Sequence, residues 1–339
     1  MNLHFTEDEF QLRASKVIKS MQEKNIDALL LFRQESMYWL TGYDTFGYVF
    51  FQCLVFTVSG EKILLTRAAD LRQAQNTSNI KDIRIWIDKD NNNATDELKK
   101  ILVELNLENK NLGVEYEAYG LTGKNAILLN NSLNQFAALQ DESFLITKQR
   151  LVKSEKEIDY VKKAAKLGDK ALEKVWELAH PGADESDILA AMQGAIFAGG
   201  GDYPGNEFII GSGKNALLCR YFSGRRKLDL IDQLTVEFAG VYRHYHSALM
   251  RTLPIGKASR EHLEMYDICR DALLACESKL KIGCTAGEVF EQHRLVVDKT
   301  AYKTARLNAC GYSLGATFAP NWMDWPMLYE NNPVIIEKN

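Results

Sequence analysis

Long apolar runs, paired cysteines, basic tracts and glycine-rich phosphate loops are all missing from this chain, and each absence excludes something. No stretch of eighteen or more apolar residues occurs, so no membrane-spanning helix is expected. Six cysteines (Cys53, Cys219, Cys269, Cys276, Cys284, Cys310) are scattered without a CxxC pair, and they read as reduced thiols. Cys269 and Cys276 fall two turns apart on one predicted helix and are expected to be small buried side chains. The formal charge is −4, and Arg220, Arg225, Arg226 and Lys227 form the single basic cluster, so nucleic acid is not an expected partner. MNLHFTEDEF is acidic and lacks the order of a signal peptide, which suggests a cytoplasmic protein. No GxGxxG follows a first strand, so a dinucleotide site lacks support.

What is present is a 339-residue chain, 46% hydrophobic and 25% charged, long enough for two cores. Thr6-Glu-Asp-Glu9 predicts a capping box, and Phe10, Ala14, Val17, Ile18 and Met21 an apolar helical stripe. IDALLLF predicts a buried strand, a short helix through Ser36–Leu40 follows, and CLVFTV with KILLT predicts a hairpin at Ser59-Gly60. DIRIWID and LGVEY read as strands and DELKKILVEL as a helix, giving a two- or three-layer α/β unit. The aromatic run from Tyr38 to Phe51 suits a core with a subunit contact, or a loop covering a site.

A second capping box, Ser154-Glu-Lys-Glu157, opens a long helix with Ile158, Val161, Ala165 and Leu172 as its markers, so the domain boundary is placed near Arg150. Asp184 is expected to cap the next helix. Three strands then follow: Glu207–Gly211, Gln233–Ala239 and Arg243–Arg251. Alternation in the second sets Glu237 opposite to Leu234, Val236 and Phe238, and a carboxylate in an apolar strand must be paired or functional. In the third, alternation aligns Tyr242, His244, His246 and Ala248 on one face. HLEMYDICRDALLACESKL predicts a helix buried through Leu263, Tyr266, Ala272 or Leu273, and Leu280. Trp322, Asp324, Trp325 and Glu330 suit a pocket wall or an oligomer contact.

The order of LVKSEKEIDYVKKAAKLGDKAL, GSGKNALLCRYFSGRRKL, LTVEFAGVYRHYHSALMRT and GYSLG resembles the pita-bread fold of Xaa-Pro dipeptidases, methionine aminopeptidases and creatinase. YWLTGY resembles the leading domain of creatinase and the prolidases. The resemblance implies an α/β creatinase-like domain over 1–150 and an α+β pita-bread domain over 151–339. It also implies that the second domain is incomplete at its C-terminus, with PVIIEKN leading into an absent strand pair and leaving a bare edge. The metal ligands of the family do not carry over. Glu237 and Ala248 stand where two Asp are expected, and Gly311-Tyr312-Ser313 replaces Gly-His-Gly. Arg220 replaces the catalytic His, Ala319 replaces a second His, and two Glu ligands fall beyond the last residue. Hard cations need several such ligands together, so no metal and no other cofactor is expected.

NEFIIGSG, LCRYFSGRRKL, EFAGVYRHYH and GYSLGATFAPNWMDWP resemble the ectoine hydrolase branch most. That resemblance implies opening of a cyclic amidine by a glutamate nucleophile, here Glu237. The residues suit this chemistry: a carboxylate pairs with a delocalised cation and attacks it, and His244 or His246 relays a proton. Arg220 or Arg225 clamps the substrate carboxylate, with Tyr242, Tyr312, Trp322 and Trp325 as further contacts. The expected partners are a small cationic or zwitterionic substrate and a second copy in a homodimer. Three competing readings are a mononuclear metal site on Glu237, His244 and His246, an Xaa-Pro dipeptidase, and a catalytically inactive homologue.

Overall fold

In the computed structural model, which describes residues 3–90, 93–218, 220 and 224–339, the chain divides after Arg150 into two units. In the first, strand β1 (Ala28–Leu31) is buried on both faces. Ala28 and Leu30 enter one core and Leu29 and Leu31 another, because successive strand side chains point to opposite sides. Strands β2 (Cys53–Thr57), β3 (Lys62–Arg67), β4 (Asp82–Trp86), β5 (Asn111–Val114) and β6 (Ala138–Asp141) extend it into a six-stranded mixed sheet, ordered β4-β3-β2-β1-β5-β6.

Helices α1 (Glu7–Glu23) and α2 (Gln34–Thr41) contribute to one core. After α3 (Leu71–Thr77), helices α4 (Ala94–Glu104) and α5 (Gly123–Leu133) contribute to the other, making three layers; the short α6 (Leu145–Gln149) closes the unit. Thr6 caps α1 by accepting the Glu9 N–H at 3.3 Å. Tyr38, Trp39, Tyr43, Tyr48 and Phe51 of the aromatic run are buried, while Phe46 and Phe50 are exposed.

The second unit opens with α7 (Glu155–Leu178), where both halves of the Ser154/Glu157 capping box form. Its buried face runs through Tyr160, Ala164, Leu167, Ala171, Leu172 and Val175. Ile158, Val161 and Ala165 are only half-buried, so the expected stripe is rotated. Asp184 caps α8 (Glu185–Ala198) by accepting the Ser186 N–H. Both helices pack on one face of an antiparallel sheet, β7 (Ile209–Ser212), β8 (Asp232–Tyr242) and β9 (Tyr245–Ile255), in that order. Leu234, Val236 and Phe238 point into this core. Gly240 lets the backbones touch: a Cβ there would lie 1.9 Å from the Ala164 carbonyl oxygen of α7.

Helices α9 (Arg260–Lys279) and α10 (Ala286–Val297) and the hairpin β10 (Ala309–Ser313)–β11 (Asp324–Tyr329) follow. The apolar stripe expected on α9 is corrected: Ala272 is its buried residue, while Leu263, Tyr266, Leu273 and Leu280 are exposed. The expectation of an incomplete second domain is corrected too. All four of these elements form, and PVIIEKN is bonded into the unit rather than leading away from it. Ala286 N–H donates to the Val334 carbonyl and Ile336 N–H to that of Cys284, both at 2.8 Å, while Lys153 N–H donates to the Asn339 carbonyl at 3.1 Å.

Candidate active site

The β8–β9 register decides which side chains can meet. Tyr242 pairs with Tyr245, and Arg243 and His244 form the two-residue turn with φ of 53° and 63°. Two positive-φ residues give a turn that matches strand twist, although neither is the Asn or Gly that announces one. The turn resets the alternation. Tyr242 and Tyr245 share the face that packs on α7, where both rings lie against Tyr160 at 5.6 and 5.7 Å between centroids. Tyr245 Oη donates to Glu157 Oε1 at 2.6 Å. Val241 opposite His246, Ala239 opposite Ala248 and Glu237 opposite Met250 share the other face. The structure thus separates Tyr242 from Glu237, and the expected single face carrying Tyr242, His244 and His246 is corrected.

Glu237 is half-buried, and burial raises its pKa above the ordinary carboxylate value of 4.5, opposed by the positive charge of Arg220. Tyr312 on β10 belongs to the same electrostatic group: burial holds its phenol protonated, Glu237 adds to that, and Arg220 works against it. Trp322, buried in the core of the second unit, donates its Nε1–H to Tyr312 Oη at 3.1 Å and so fixes that ring. Two strand positions from Glu237, Thr235 and Thr252 bond across the strands at 3.0 Å. Trp322 and Tyr312 are thus in contact, and Glu237, Arg220 and Tyr312 lie within electrostatic reach of one another.

Arg225 is exposed, and its segment is anchored from below. Its N–H donates to Glu185 Oε2 at 3.0 Å, and Ser212 Oγ donates to Glu185 Oε1 at 2.5 Å. Arg226, a member of the basic cluster, bonds Ser212 and Asp232. Glu185 is fully buried at the start of α8, and sequence offered no signal for it beyond its place beside a cap. Trp325 is half-buried on β11. Cys219 and residues 221–223, inside LCRYFSGRRKL, lie outside the described residues.

The two histidines sit elsewhere. His246 is fully buried: Nε2 accepts the Gly205 N–H at 2.8 Å, while Nδ1 lies 2.8 Å from the His244 carbonyl and 3.0 Å from Thr317 Oγ1. Those partners set a neutral ring with its proton on Nδ1, and burial pushes its pKa down to about 3. It lies four strand positions from Met250, the residue opposite Glu237, or roughly 13 Å along the strand. His244 stacks on Phe318 with centroids 4.2 Å apart, and its backbone N–H donates to Asp202 Oδ2 at 3.3 Å. Glu237, His244 and His246 do not converge, which corrects the mononuclear metal arrangement.

A leading α/β unit followed by an antiparallel sheet backed by two helices is the two-domain creatinase/pita-bread architecture. Residues 159–339, more than half the chain, match the metallopeptidase family M24, and residues 13–152 match the creatinase/prolidase N-terminal domain. The chain belongs to this family, within the creatinase, Xaa-Pro dipeptidase and aminopeptidase P superfamily of hydrolases that act on C–N bonds.

An ectoine hydrolase from Halomonas elongata is 25% identical over 99% of this chain and 88% of its own length. An Xaa-Pro dipeptidase from Pyrococcus horikoshii is 24% identical over 96% of this chain and 86% of its own. The recombinant prolidase from Thermococcus sibiricus superposes with a TM-score of 0.84 at 22% identity, covering 97% of this chain and 87% of that one. That last likeness is one of fold, and it too overturns the expectation of a cut-short second domain.

The family implies a divalent metal centre, and the residues present do not fit one. Among the described residues no three His, Cys, Asp or Glu side chains converge as a ligand set. An arginine and a protonated tyrosine share the electrostatic surroundings of Glu237 instead. Also among the described residues, no helix is long and apolar enough to cross a membrane.

Proposed function

We propose that this chain opens a small cyclic amidine such as ectoine by hydrolysing a C–N bond, with Glu237 as the nucleophile and no resident metal ion. The observation that carries this reading is Glu237 itself, a half-buried mid-strand carboxylate beside the charge of Arg220. A protonated amidine spreads one positive charge over two nitrogens and the carbon between them. Glu237 first pairs with that cation and then attacks the carbon. A C–O bond forms, the ring C–N bond breaks as its nitrogen takes a proton, and water resolves the ester-like intermediate. Arg220 holds the substrate carboxylate, and Tyr312, positioned by Trp322, keeps its O–H available to the leaving nitrogen. His246 acts as a positioning residue for the turn, with no proton to relay.

A second reading, hydrolysis of Xaa-Pro dipeptides, has the broader support from similarity, since the Pyrococcus and Thermococcus proteins carry such names. It requires activation of a neutral amide, toward which a lone carboxylate is a weak nucleophile. Ectoine and Gly-Pro assayed side by side, with and without manganese, separate the two. The amidine reading expects ring opening that manganese leaves unchanged. Manganese-stimulated Gly-Pro cleavage transfers the assignment to the dipeptidase reading, and turnover of neither substrate supports a non-catalytic homologue.

A further inference from the structure

Away from Glu237, a cleft of about 320 Å³ opens where α9 and α10 meet the β10–β11 hairpin, and Cys269, Cys276, Cys310 and His293 line it. The sequence suggested that Cys269 and Cys276 are small buried side chains. Cys269 is instead exposed, and Cys276 and Cys310 are half-buried. Cys310 sits at a register shift of the hairpin: Ala309 pairs with Tyr329 and Gly311 with Leu328, so Cys310 is the extra residue of a bulge. It shares the cleft with Cys276, whose S–H donates to the Val289 carbonyl oxygen on α10 at 3.6 Å.

We propose that Cys276 and Cys310 form an oxidisable dithiol site, open to a small peroxide, that closes to a disulfide joining α9 to β10. Cys276 is the attacking sulfur. The Cys310 S–H and the His293 backbone lower its pKa to about 7, against burial and the nearby Glu277, while the same contact raises Cys310. Its thiolate attacks one oxygen of hydrogen peroxide: an S–O bond forms, the O–O bond breaks, and hydroxide leaves as water after taking a proton. The Cys310 sulfur then attacks the sulfenic sulfur, an S–S bond forms, the S–O bond breaks, and a second water leaves with the Cys310 proton. Two electrons pass from the sulfurs to one peroxide. Cys269 is not the partner, since residues seven apart on a helix are separated by about 10 Å along its axis, beyond disulfide reach.

The test treats the full chain with one equivalent of hydrogen peroxide and maps its disulfides by mass spectrometry. A Cys276–Cys310 peptide pair lacking two hydrogens, absent from Cys310→Ala, is expected. In the reduced protein at pH 7, iodoacetamide should label Cys276 about tenfold faster in the parent than in Cys310→Ala, which has lost the S–H donor. A link through Cys269, oxidation that stops at a sulfinic acid on one cysteine, or both thiols still free would overturn the site. The mapping is made on the parent protein, so it decides even where the variant folds poorly.

Discussion

At the turn end of the β8–β9 hairpin, His246 has hydrogen-bond partners at both ring nitrogens and sits buried as a neutral ring. On the same face, toward the middle of the strands, Glu237 is half-buried with its proton affinity raised and an arginine charge nearby. The two residues are alike in being polar groups in apolar strands, yet they differ in what surrounds them. A fully partnered group has no capacity left for a substrate and serves stability; a desolvated carboxylate beside a cation costs stability and is suited to chemistry.

Glu237→Gln is expected to lower kcat/KM for amidine opening by roughly 10³-fold or more, because the nucleophile is gone. The same variant should melt no lower than the parent. Folded Glu237 binds its proton more tightly than the unfolded chain does, so its ionised form costs stability above that pKa, and the cost is relieved as pH falls. Calorimetry showing a lower Tm for Glu237→Gln would break the contrast from that side.

Arg220→Gln should cost about 10- to 100-fold, mostly in KM, by removing a charge-assisted clamp. His246→Ala should leave kcat within about threefold while losing roughly 1–3 kcal/mol of stability from the orphaned Gly205, Thr317 and His244 groups; urea titration and steady-state kinetics on one preparation measure both. A large kcat loss at full stability would return His246 to the chemistry.

The wild-type pH profile sharpens the same point. Activity should fall on the acid side with a midpoint above the ordinary glutamate value of 4.5, since protonation removes the nucleophile. A profile whose only limb titrates in the histidine range and disappears in His244→Ala would assign the chemistry to the other end of the hairpin. The expected Tyr312→Phe effect on kcat/KM is about three- to tenfold, from one lost neutral hydrogen bond, below that of Arg220→Gln and above that of His246→Ala.

Much of the fold could be read from local chemistry. The Ser154/Glu157 box, the Asp184 cap and the apolar strand at Ala28–Leu31 each rest on residues whose neighbours in sequence are also their partners. Glu237 was legible for a similar reason, as one carboxylate out of step with its strand. The histidine placement was not, because Arg243 and His244 adopt positive φ without the residues that signal such a turn, and one wrong phase inverts every side chain after it. Glu185 and the Cys276–Cys310 contact were hidden by distance along the chain, and the α9 stripe misled because apolar periodicity does not reveal which face a neighbour covers.

The most direct test is acid-quenched mass spectrometry of the protein caught while turning over ectoine. The account predicts a substrate-derived mass on the peptide containing Glu237, missing in Glu237→Gln, and it is contradicted if Glu237→Gln turns over at the parental rate or if the adduct sits on another residue.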